Sequence, residues 1–148
     1  MLIQELTPDE CRAALSRIGF GRLGCSLDNQ PYIVPINIAY EDGFLYSFST
    51  LGQKIKWMRT NPKACVQADE IGGAAGWLSV IANGSFQELK EPQFELERAH
   101  ARKLLNDREH WWINALAERQ AKSEGELVTP IFFRIRIETV TGLRSAEE

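Results

Sequence analysis

Long apolar runs are missing from this chain: no stretch approaches the roughly 18 residues that a membrane-spanning helix needs. Basic charge is short as well. Lysine and arginine number 17 against 20 aspartates and glutamates, a formal net charge of −3. A domain that grips nucleic acid shows a basic face or a high pI instead. Cysteine and histidine are scarce. Cys11, Cys25 and Cys65 are odd in number, lie far apart and form no CxxC pair, which argues against a disulfide framework or a zinc site. His100 and His110 come without an HExxH pattern, so no metal centre is expected. The opening MLIQELTPDE carries an acidic helix start in place of a basic n-region and apolar run. The resulting expectation is a cytoplasmic protein with reduced thiols, no metal, no nucleic-acid partner and no membrane partner.

What is present suits one globular domain over residues 1–148. Hydrophobic residues make up 44% and charged residues 25%, ordinary values for such a domain, and no repeat, low-complexity tract or linker divides them. TPDE opens a helix, with Thr7 as N-cap, Pro8 at the first helical position and Glu10 placed for a capping box. Cys11, Leu15 and Ile18 continue an apolar stripe until Gly19 and Gly21. The period then shortens. Strands are expected over 21–27, 31–40, 43–49, 63–70, 77–88 and 130–141, with turns at DNQ and EDG and a small-residue loop at GGAAG. Pro35 donates no ladder bond, so it belongs at an edge, a bulge or a barrel corner. Gly84 marks a bulge or a tight bend. A short helix carries Leu51, Ile55 and Met58 on one stripe and stops at Asn61-Pro62. EPQFELERAHARKLLND and REHWWINALAERQAK read as two more helices. Parallel βαβ alternation is missing, so the expected fold is mainly β (α+β): a small antiparallel barrel with peripheral helices.

The stretch STLGQKIKWMRTNP, 49–62, concentrates polar chemistry just after a strand. Helix N-termini present unpaired N–H groups and partial positive charge, a natural anion site. Ser49, Thr50, Gln53 and Lys54 would add hydroxyls, amide donors and an ammonium within one turn, and Gly52 allows close backbone approach. The plainer alternative is that Ser49 or Thr50 merely caps the helix, with the lysines on its solvated face. Trp77 and Ser79 point to one side of their strand. A core anchor is the plainer role for Trp77.

Taken together, YIVPINIAYEDGFLYSFSTLGQKIKWMRTNPKACVQADEI, the later WLSVIANGSFQEL and the closing FFRIRIETVTG resemble the pyridoxamine 5'-phosphate oxidase-like family of FMN-binding split barrels. The likeness is nearest to the branch of small flavin-nucleotide-binding proteins that includes nitroimidazole-resistance proteins. The resemblance implies a six-stranded antiparallel split β-barrel that forms a homodimer, with two flavins in grooves at the interface. It implies that Ser49, Thr50, Gln53 and Lys54 bind the phosphate and ribityl chain. The backbone of Pro35, Ile36, Asn37 and Ile38 would border the isoalloxazine ring. Trp77 and Ser79 would come from the partner chain, and Trp111 and Trp112 would lie in a helix that can close over the flavin. The implied cofactor is FMN, with FAD possible in an open groove. The implied role is a flavin-dependent oxidoreductase acting on a small molecule; the alternative is a non-catalytic flavin-binding or storage module. The chain ends TGLRSAEE, without the RLxP tail of enzymes that oxidise pyridoxamine phosphate. It also reads SFST where nitroimidazole-resistance proteins often carry a histidine. Neither of those substrates is therefore implied.

Overall fold

The computed structural model describes residues 2–72, 76–107 and 129–146. The predicted capping box forms at the first helix, α1 (Pro8–Arg17): the Thr7 hydroxyl accepts from the Glu10 N–H, and the Glu10 carboxylate accepts from the Thr7 N–H. Ahead of it lies β1 (Leu2–Glu5). After it come β2 (Phe20–Leu27), β3 (Gln30–Asn37), β4 (Ala39–Glu41), β5 (Phe44–Ser49), α2 (Gln53–Thr60), β6 (Lys63–Gly72), β7 (Gly76–Glu88), α3 (Glu95–Asn106) and β8 (Ile131–Ala146). The second of the two C-terminal helices read from sequence falls outside the described residues.

All strand pairs are antiparallel, in the order β3-β2-β6-β7-β8-β5-β4, with β1 beside β8. Among the described residues the sheet therefore has eight strands where six were expected. One addition is β1, which pairs with the far end of an elongated β8. The other arises because the expected 31–40 strand breaks at Ile38: β3 ladders onto β2, and β4 onto β5. This break closes the sheet. β3 and β4 are its two edges, yet a single residue joins them. Ile38 N–H reaches the Gly19 carbonyl at 3.1 Å, and the Ser47 hydroxyl donates to the Asn37 carbonyl at 2.6 Å. Pro35 sits on edge strand β3, where its missing N–H costs nothing. The register slips between Asn83 and Gly84. A Cβ on Gly84 would overlap the Arg136 carbonyl oxygen, so the bulge requires glycine.

Inside the barrel Leu23, Val66, Val80, Phe133 and Ile135 pack with Leu15 of α1 and with Ile55 and Met58 of α2. Ile55 and Met58 are fully buried. Each contributes about 1.5–3 kcal/mol relative to exposure, which fixes α2 on the barrel. A second cluster joins Tyr46, Leu89 and Phe132 to Ala101 and Leu105 of α3. Because side chains alternate, the residues between the core positions of β2, β3, β6, β7 and β8 form the sheet's outer face. Phe20, Ile33, Ile71, Ile81 and Leu143 lie there, all exposed. Among the described residues no helix is long and apolar enough to cross a membrane.

Candidate functional site

The polar stretch that stood out in the sequence sits where β5 hands over to α2. Its hydroxyls do not cap the helix: Gly52 is the N-cap, without a side-chain cap bond, and Ser49 Oγ instead donates to the Thr50 carbonyl at 2.8 Å. The first turn of α2 holds no acidic residue. The helix start thus keeps its partial positive charge, with Gln53 exposed and Lys54 half-buried in the first turn. The Cys25 thiol lies within the field of Lys54. Burial pushes that thiol's pKa up and nearby Cys65 adds to the rise, while the lysine charge pulls the other way.

The segment Pro35 to Ile38 runs alongside. The Ser47–Asn37 bond ties it to β5 two residues before Ser49. Pro35 is exposed, whereas Ile36, Asn37 and Ile38 are buried. Ile36 and Ile38 turn their side chains into the core, so only their backbone is left to meet a ligand. Pro35, Ile36, Asn37 and Ile38 thus lie beside the end of β5, and Ser49, Thr50, Gln53 and Lys54 follow from that end into the start of α2.

Trp77 and Ser79 stand apart. They lie on β7, separated from β3 by β2 and β6. Counted along the sheet, they stand three strand spacings, about 14 Å, from β3. Trp77 is half-buried and, among the described residues, belongs to neither core cluster, against the core-anchor reading; its backbone N–H donates to Ser145 Oγ at 2.9 Å. Trp111 and Trp112 lie outside the described residues.

Sequence reading passed over the surroundings of Ser79. Gln67 Nε2 donates to Ser79 Oγ at 3.0 Å and to Asp69 Oδ2 at 2.9 Å, and Arg22 Nη1 reaches the same carboxylate oxygen at 3.4 Å. The alternation of Val66 and Ala68 inward with Gln67 and Asp69 outward was a usable signal. The β6–β7 register, which pairs Asp69 with Ser79, was not visible. On the same face a hollow of about 630 Å³ opens over Gly24, Tyr32, Ile33, Cys65 and Asn83. Gly24 keeps it open, since a Cβ there would come within 2.9 Å of the Cys65 sulfur.

A family model described as pyridoxamine 5'-phosphate oxidase matches residues 7–144. An uncharacterized protein of Rhizobium meliloti (strain 1021) is 36% identical over 143 residues, covering 96% of this chain and 95% of that protein. Among solved structures, a FAD-binding protein from Mesorhizobium loti is 38% identical with a TM-score of 0.76, over 99% of this chain and 100% of that one. The FAD binding protein from Mycobacterium smegmatis gives a TM-score of 0.66 over 97% of this chain and 98% of that one. Its identity of 20% makes this a likeness of fold alone.

Proposed function

Since the chain belongs to the pyridoxamine 5'-phosphate oxidase family, we propose that it is a homodimeric flavoprotein that holds FMN at the β3 edge and performs a two-electron redox reaction on a small molecule. The observation that carries this reading is the start of α2. An uncapped helix N-terminus, with no acidic residue of its own and with Lys54 in its first turn, follows directly from β5, whose Ser47 is bonded to Asn37 at the end of β3. That donor set fits a phosphate: it supplies N–H groups, the Thr50 hydroxyl and one cation, and Ser49 would join it by turning its hydroxyl away from the Thr50 carbonyl. The backbone of Pro35 to Ile38 would border the ring, and Gln53 would meet the ribityl chain. When bound, the flavin supplies the redox chemistry, while the protein supplies position and electrostatics.

The homodimer is part of the same proposal. Ser79 and Trp77 lie on β7, three strands along the sheet from β3, and in this reading they serve the partner's flavin. The apolar outer face carrying Phe20, Ile33 and Ile81 is the kind of surface a second chain covers. A second reading, FAD in place of FMN, is favoured by the FAD-binding protein of Mesorhizobium loti at 38% identity. The mainly apolar hollow beside the site would take an adenine.

The cofactor released on denaturing the purified protein tests both readings by mass. FMN supports the first and FAD the second. A protein that carries no flavin and takes up neither on titration overturns the proposal. Reduction by NADH or NADPH with substrate-dependent reoxidation separates an enzyme from a storage module.

A further inference from the structure

The outer-face network around Ser79 has a direction. A carboxylate only accepts hydrogen bonds, so Asp69 must face the NH₂ end of the Gln67 amide. The second N–H of that nitrogen then points to Ser79 Oγ. With its oxygen already accepting, the Ser79 hydroxyl keeps its own proton for a partner elsewhere. Val80 and Ala82 are buried in the barrel, so Ser79, between strand positions that face inward, stands on the outer face.

We propose that Gln67 and Asp69 are positioning residues that present Ser79 as a hydrogen-bond donor to an acceptor on the flavin ring of the partner chain's site. The proposal rests on the flavin reading above. It adds which edge of the ring Ser79 meets. Carbonyl oxygens and unprotonated ring nitrogens can receive its proton, whereas the N3–H edge cannot. Arg22, at 3.4 Å from Asp69, keeps the carboxylate turned into the network.

The test compares Ser79→Ala, Gln67→Leu and the double variant in the flavin-loaded protein, by flavin titration and by the visible absorption of the bound flavin. Leucine at 67 frees the serine hydroxyl to turn its proton toward Asp69. Each single variant should weaken flavin binding about twofold to tenfold, the scale of one neutral hydrogen bond. Each should shift the absorption maximum in the same direction, and the double variant should match Ser79→Ala alone, because Gln67 acts only through the serine. Asp69→Asn, which can keep one acceptor for Gln67, should give a smaller shift of the same sign. If Ser79→Ala changes affinity and spectrum but Gln67→Leu and Asp69→Asn do not, the positioning role is wrong and the flavin site stands. Additive losses in the double variant have the same meaning. If Ser79→Ala changes neither readout, Ser79 does not meet the flavin, and the proposal falls together with that part of the site.

Discussion

Replacing Lys54 with methionine separates a ligand contact from a structural one, because the two effects have opposite signs. Methionine keeps much of the stem, has a similar helix propensity and removes only the charge. Lys54 lies in the first turn of α2, which itself holds no acidic residue. A cation there opposes the helix dipole by about 0.3–1 kcal/mol, so the dipole contribution favours the ligand-free variant. A charge-assisted bond to a phosphate is worth about 1.5–3 kcal/mol, so flavin affinity should fall about tenfold to hundredfold. Because Lys54 is half-buried rather than enclosed, the loss should shrink as salt is raised. Calorimetric titration at two ionic strengths, with thermal unfolding of the ligand-free protein, reads both signs. Lys56→Met is the control; that lysine is exposed and should matter little. Unchanged affinity in Lys54→Met would refute the phosphate anchor and leave Lys54 a solvated helix residue.

Gly84→Ala places a methyl group against the Arg136 carbonyl at the bulge. It should cost about 1–3 kcal/mol, seen as a Tm lowered by several degrees; an unchanged Tm would mean that the bulge relaxes freely. The Glu10 carboxyl is held below the usual range, first by the Thr7 backbone N–H and then by its hydroxyl. A lowered folded-state pKa gives stability that is complete above the unfolded-state value and is lost as pH falls through the folded-state one. Glu10→Gln should therefore flatten part of the acid side of the stability–pH curve, and an identical curve would show that the capping box contributes nothing there.

How much of this was legible in the sequence depended on how local the signal was. Thr7, Pro8 and Glu10 declare the α1 start within four residues, and it forms as read. Pro35 announced an edge, a bulge or a barrel corner, and it sits on an edge strand. The break at Ile38 could not be read, because Ile36, Ile38 and Ala39 are all buried and apolar pattern does not reveal a change of ladder partner. β1 escaped for a different reason. Leu2 to Glu5 are exposed and pair with residues Leu143 to Ala146 at the other end of the chain. The candidate site divides in the same way. Ser49 to Lys54 are contiguous and visible, though the hydroxyl cap is replaced by Gly52. The Gln67–Asp69–Ser79 network spans two strands and needs their register.

The central claim, one flavin held between two chains, is tested most directly by subunit mixing. Lys54→Met damages the phosphate side, and Ser79→Trp blocks the ring side. Each variant homodimer has two damaged sites and should bind flavin poorly. In the isolated heterodimer one site carries both lesions and the other carries neither, because a shared site is assembled from distinct patches of two subunits. Flavin titration of that heterodimer should recover about one normal site per dimer. No recovery in a verified heterodimer would contradict the shared site.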